Sequence, residues 1–285
     1  MKKIIFLLPF LFIMQNAIAL PAISQNVSET LTEDAFTPPP LNPTYGEDEA
    51  VFVGKNEKVV PKKVHEEDPV YRYTIDAVYP QISGKNLSKS AEEFNQRIYN
   101  MVTENLQNFK NSVKRDYQHM QTLPETVQNN NLKLDYDIDV INPISLVSVR
   151  LSIESMQAGR AHPYHQHQVF NFDLMNNKEL ALSDLFKPNT NFLQAIANYS
   201  NGKLQATVNE KDKWMLEEGT KPLLKNYKNW NIEADSILIT FDEYQVAPHM
   251  YGPQEVEIPF EELKNLLSKQ AEVIASSKEN TPDLG

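Results

Sequence analysis

The chain has 285 residues, 41% hydrophobic, with 38 acidic against 27 basic side chains and a net charge of −11. That length supplies a core for one domain or two small ones, and the lack of cysteine excludes disulfides, thiolate metal sites, cysteine nucleophiles and a lipid-bearing cysteine. The acidic balance argues against nucleic acid and anionic lipid surfaces, which are bound by basic faces, and favours encounter with cationic partners.

In chain order, Met1-Lys2-Lys3 is a short basic head before the apolar run Ile4 to Met14, and Ala17-Ile18-Ala19 has the small-x-small pattern of a cleavage site. Residues 1–19 read as a signal peptide, because the run falls short of the roughly 20 residues that a spanning helix needs. The expected mature chain starts at Leu20, is periplasmic or secreted, and has no membrane span. Residues 20–65 contain Thr37-Pro38-Pro39-Pro40 and Glu47-Asp48-Glu49 without sustained apolar periodicity, so they read as a flexible linker. The polar tail, residues 268–285, reads the same way.

The segment between these flanks reads as α+β, in an N-terminal strand–helix–hairpin half over residues 66–157 and a C-terminal half over residues 158–267. Val70 to Tyr79 alternates as a strand that Pro80 is expected to stop. Ser90-Ala91-Glu92-Glu93 has a capping-box pattern. Ala91, Phe94, Ile98, Met101, Val102, Leu106, Phe109, Val113 and Tyr117 then recur at helical spacing. Alternation over Leu132–Val140 and Leu146–Met156 around Asn142-Pro143 predicts a hairpin. Gln168 to Leu174 reads as a strand turned by Asn176-Asn177. Helices are expected near Phe192–Leu204, Trp214–Leu224 and Phe260–Leu267, with strands at Ser236–Phe241 and Val256–Ile258. Helices inserted among antiparallel-looking strands, without strict βαβ alternation, give the α+β class.

Four segments carry a family pattern. They are Val78-Tyr79-Pro80-Gln81-Ile82; Gly159-Arg160-Ala161-His162-Pro163-Tyr164 leading into Val169-Phe170-Asn171-Phe172-Asp173-Leu174; Leu182-Ser183-Asp184-Leu185-Phe186; and Phe241 to Pro248 with Gly252 to Pro259. In these the chain resembles, from about Val70 to Leu267, an exported domain-of-unknown-function family. That family includes the extracytoplasmic domain of the lysozyme-sensing anti-sigma factor RsiV and the N-terminal region of the peptidoglycan deacetylase PdaC. The resemblance implies the fold, an envelope location, and a role in binding peptidoglycan or a lysozyme-like protein. It implies neither transcriptional control nor deacetylation for this sequence.

Chemistry-bearing residues are few. There is no Gly-x-Ser-x-Gly elbow and no phosphate-cradling glycine loop, so no catalytic residue, cofactor or metal is assigned. His162, His165 and His167 form the sharpest cluster. In an extended segment His165 and His167 share a face, which leaves open an alternative reading as a cell-wall glycan hydrolase or metal-dependent enzyme. Acidic pairs such as Glu92-Glu93, Glu217-Glu218 and Glu261-Glu262 leave a carboxylate-pair hydrolase open as well. The loop Ala247-Pro248-His249-Met250-Tyr251-Gly252-Pro253 is the recognition candidate, because prolines stiffen both of its ends. Its candidate binding residues are His249, Met250 and Tyr251, with Tyr244 in support. The function expected is a soluble exported binding module for peptidoglycan, a lysozyme-like protein or another envelope partner.

Overall fold

The computed structural model describes residues 51–53, 56–119 and 130–277. The expected signal peptide and most of the expected linker lie outside these residues.

Six strands form one sheet in chain order: β1 (Glu57–Asp68), β2 (Tyr73–Gly84), β3 (Asn130–Ile141), β4 (Leu146–Met156), β5 (Tyr164–Asp173) and β6 (Lys178–Glu179). Neighbours are antiparallel except β2 and β3, which run parallel because helix α1 (Lys89–His119) carries the chain back between them. Ala91, Phe94, Ile98, Val102, Leu106, Phe109 and Val113 of α1 are all buried against the inner face of the sheet, where Ile75, Leu134, Val149, Leu151 and Phe172 meet them. Periodicity placed this face correctly. The cap falls two residues earlier than the expected Ser90: Ser88 Oγ accepts from Ala91 N at 3.2 Å.

A second sheet orders β7 (Trp230–Ile232), β8 (Ser236–Phe241) and β9 (Gln254–Pro259), all antiparallel. Helices α2 (Phe192–Leu204), α3 (Lys213–Gly219), α4 (Phe260–Leu263) and α5 (Lys269–Ser276) surround it. Ile196, Leu204, Ile239, Phe241, Ile258 and Leu263 are buried in its core. The α+β class holds, with two sheets instead of one.

Several boundaries differ from the sequence reading. Residues 57–65 were expected in the linker but form the edge strand β1, where Val59 is buried and Glu66, on the same strand, takes bonds from Tyr73 and Lys110. Pro80 does not stop β2; it lies opposite Pro61 of β1, a position where neither residue has an N–H to give to the ladder. The halves do not part at residue 157 either. β5 and β6 complete the first sheet, and burial passes to the second core between Leu174 and Leu180. The tail is folded as far as Ser277: Ser268 caps α5 through Ala271 N, its hydroxyl donates to Asp184 O, and Ala271 and Ile274 are fully buried. Short stretches with two buried apolar residues give no periodic signal, so sequence patterning assigned neither α5 nor β7.

A polar joint connects the sheets. On the outer face of the first, Ser148 Oγ accepts from Asn231 Nδ2 at 2.9 Å and from Ile232 N at 3.0 Å, while Asn171 Nδ2 donates to Trp230 O at 2.8 Å. All of these residues are buried. β7 is thereby seated on β4 and β5, and the segment after β8 is brought over the outer face of β5.

The parallel pairing of β2 with β3 covers only Tyr73–Ala77 against Asn130–Leu134, so the rest of β2 has no strand on that side. A side chain from α1 takes the missing strand's place. Asn95 Oδ1 accepts from Ile82 N at 2.7 Å, and Asn95 Nδ2 donates to Ile82 O at 2.8 Å. Replacing Asn95 with Ala strands both backbone groups and should cost about 2 kcal/mol. Urea unfolding with an unchanged slope and a lower midpoint is the expected result.

Candidate functional site

The loop that joins β8 to β9 begins in a tight turn. Gln245 N donates to Asp242 O at 3.0 Å, and Tyr244 occupies the left-handed region with φ +64°. A non-glycine residue is held there only when its surroundings impose it. They do: Gly219 at the end of α3 lies so close that an added Cβ would stand 2.1 Å from Gln245 O, and Gln245 Nε2 donates to Asn226 O at 2.8 Å. Val246 and Ala247 are buried beyond the turn. A short 3-10 helix, His249–Tyr251, follows, closed by Gly252 at φ +64° and by Gln254 Nε2 donating to Tyr251 O at 2.7 Å. The loop is fixed at both ends, as its prolines suggested.

The four expected binding residues divide into two groups. Tyr244 and Met250 face outward, at 51% and 74% exposure. Tyr251 turns inward, packing on the second core with its hydroxyl bonded to Asn209. His249 sits between them in a ring stack: its imidazole lies 3.7 Å from that of His162 at 20°, and 5.6 Å from the Tyr244 ring at 17°. The Tyr244 hydroxyl reaches His162 Nε2 at 3.4 Å. Residues 162 and 244, from separate loops, thus present one ring-lined surface.

Beneath the stack lies a group that sequence reasoning did not single out. Glu243, with a side chain only 2% exposed, is clamped between two imidazoles: His165 Nδ1 at 2.6 Å from Oε1 and His249 Nδ1 at 2.9 Å from Oε2. Glu154 of β4 takes the other ring nitrogen of His165 at 3.2 Å. Asp242 holds His167 through both its backbone N–H at 2.9 Å and its Nδ1 at 3.0 Å, with Lys228 at 3.3 Å and Asn229 at 3.0 Å on the other oxygen. Burial pushes the Asp242 carboxyl up, but the His167 bond and charge, with the Lys228 charge, outweigh it and leave it below the usual range. The available signal was the acidic pair Asp242-Glu243 directly after a strand and next to a histidine-rich segment of similar register.

His165 and His167 do share the outer face of β5, but each goes to a different carboxylate, and His162 joins His249 instead. Among the described residues no three His, Asp or Glu side chains are arranged to hold a metal. The histidines act as fasteners instead, tying the segment after β8 to β5 by hydrogen bonds to Asp242 and Glu243.

A second charged group lies farther along the same face. Arg150 of β4 bonds Asp137 at 2.9 Å, Thr240 at 3.1 Å and Glu255, crossing from one sheet to the other. Asp139 is half-buried nearby, and burial first, then repulsion from Glu233 and Asp137, pushes its carboxyl up to about 6. A raised carboxyl means that the folded state holds the proton more tightly. The Asp139 contribution to stability is therefore fully present below the unfolded value and is lost as pH rises to about 6. Asp139→Asn should stabilise the protein by about 1 kcal/mol at neutral pH, allowing for solvent screening, and do little at pH 4. Thermal melts at the two pH values check this.

Residues 183–261 match the family described as "Protein of unknown function (DUF3298)", a stretch that holds the Tyr244–Tyr251 loop but not His162 or His165. Over 146 residues, 51% of the chain, it is 30% identical to the peptidoglycan-N-acetylmuramic acid deacetylase PdaC of Bacillus subtilis, of which it spans 31%. Over 200 residues, 68% of the chain, it is 26% identical to the anti-sigma-V factor RsiV of the same organism, of which it spans 65%. The chain thus covers less than two thirds of either relative. Among solved structures it is similar to DUF3298 proteins from Bacteroides fragilis (TM-score 0.56, 17% identity, 79% of this chain and 100% of that one) and Pseudomonas aeruginosa (TM-score 0.55, 13% identity, 77% and 98%). These two likenesses concern the fold. The resemblance read from the sequence segments is thereby met, and cell-envelope-associated proteins are what this chain is similar to.

Proposed function

We propose that the chain is an exported cell-envelope binding module whose recognition surface is the Tyr244–His249–His162 stack with Met250 beside it. The observation that carries this reading is the stack's setting. Three coplanar-leaning rings stand at the surface on a loop locked by Gly219, Gln245, Gly252 and Gln254. Rings held in place before contact bind at low entropic cost, and their flat faces suit a sugar ring or an apolar side chain. The relatives' names supply the direction: one acts on peptidoglycan and the other is an anti-sigma factor. Peptidoglycan is the ligand favoured here, and a cationic, lysozyme-like protein is the second partner, attracted over distance by the net charge of −11.

The module reading is favoured over the hydrolase reading by how the histidines are used. Both ring nitrogens of His165 are engaged by carboxylates, and His167 is held on its backbone and ring at once. These are the bonds of a brace. No helix among the described residues is long and apolar enough to cross a membrane.

Tyr244→Ala removes the outer ring and leaves the Glu243 clamp in place. It should weaken retention on purified peptidoglycan sacculi about tenfold, mainly through faster dissociation, with the melting temperature little changed. Sedimentation with sacculi, beside surface-plasmon kinetics against a panel of lysozymes, measures this. Equal retention of the variant and the unaltered protein rules the stack out as the contact, and no retention on either ligand class removes the envelope-binding reading.

A further inference from the structure

We infer that the recognition stack is gated by protons: it is assembled while its imidazoles are neutral and opened when His162 and His249 are both protonated. The inference deepens the binding reading by adding regulation to the same site, but the gate itself is visible without ligand.

The neutral state is self-consistent. His162 Nδ1 lies 2.9 Å from Pro163 O, so that nitrogen carries the proton and donates. His162 Nε2 is then the acceptor for the Tyr244 hydroxyl at 3.4 Å. Glu243 receives one Nδ1–H from His165 and one from His249, which satisfies both carboxylate oxygens, and Glu154 faces the other ring nitrogen of His165 at 3.2 Å, so any positive charge in the assembled state lies on His165, between two carboxylates and outside the stack.

Protonation breaks the balance because there are three imidazoles and two carboxylates. His165 lies between Glu154 on β4 and Glu243, and His249 lies on Glu243, so both of these rings have a carboxylate available when charged. For His162 no carboxylate lies within ion-pair distance among the described residues; the groups facing it are Pro163 O, the Tyr244 hydroxyl and the His249 ring itself. The remaining charged groups around the loop are already committed to one another: Asp242 to His167 and Lys228, while Arg160, on the His162 loop, bonds Gln157. Two imidazolium rings with centroids 3.7 Å apart repel, and the one without a carboxylate leaves. His162 at the same time gains an Nε2–H and can no longer accept from the Tyr244 hydroxyl. The outer ring loses both its neighbour and its hydrogen bond, while the Glu243 clamp beneath is strengthened. The loop therefore stays anchored and only its binding surface comes apart.

The test follows the ligand-free protein by NMR between about pH 8 and pH 5, the interval over which ordinary imidazoles take up a proton. Ring-to-ring Overhauser contacts of His162 with Tyr244 and His249 should be present at the upper end and absent at the lower, with the His165 resonances still showing their Glu243 bond. In His162→Phe, which keeps a ring but removes the charge, the Tyr244 ring resonances should lose their acid step, while those of His249 keep only the shift of its own protonation. Persistence of the His162 contacts at the acid end, or an undiminished step in His162→Phe, overturns the gate. A second arm measures sedimentation of the unaltered protein with peptidoglycan sacculi at both ends of the range. Retention about fivefold weaker at the acid end is expected, given how few imidazoles respond there; equal retention overturns the gate. If sacculi retain nothing at either end, the peptidoglycan reading falls, and the ligand-free NMR titration decides the gate by itself.

Discussion

The molecule depends on one buried polar joint. Ser148, at the centre of the first sheet, accepts two hydrogen bonds from β7, and Asn171 on the neighbouring strand gives one back to Trp230 O. Apolar faces slide and repack with little directional penalty, whereas a buried donor without an acceptor is costly, so three such bonds set a single register between the sheets. Everything that brings the recognition loop to the histidines follows from that register. β7 fixes β8, β8 ends at Phe241, and the next two residues are the carboxylates that meet His167 and His165.

Around that joint the protein uses charge in two ways. Arg150 spans both sheets and is answered by Asp137 and Glu255, so the far end of the interface is closed by a cation among anions. At the near end the pattern differs: Glu243, an almost fully enclosed anion, is answered by two imidazoles, His165 and His249. The first arrangement is permanent and structural. The second lies beneath the stacked rings of Tyr244, His249 and His162.

How much of this was legible in the sequence follows from the range of each signal. The apolar face of α1 and the β3–β4 hairpin repeat over many residues, and their alternation identified them. The ends of the fold did not: β1 is an edge strand rich in Lys and Glu, and α5 buries only two aliphatic side chains, so both looked like solvated chain. At the site, proline and glycine marked the loop, and Tyr244, His249, Met250 and Tyr251 were read as its candidate binding residues, of which Tyr244 and Met250 stand exposed. The inward turn of Tyr251 was not legible, because nothing local shows that Asn209, 42 positions away, comes within reach of its hydroxyl. Glu243 was passed over for the same reason, since its meaning comes from His165 on β5, which only the packing of one sheet on the other brings near.

The side chain that seals β2 has a consequence for how the molecule behaves in company. Where β2 and β3 part, the sheet has an opening in its middle, with a backbone edge on which another chain's strand could pair. Asn95 already occupies the donor and the acceptor of Ile82, and Pro80 offers no donor two residues before it. The opening is closed to an incoming strand by chemistry instead of by bulk. A strand that arrives at that point of β2 therefore finds the donor and the acceptor of Ile82 already taken.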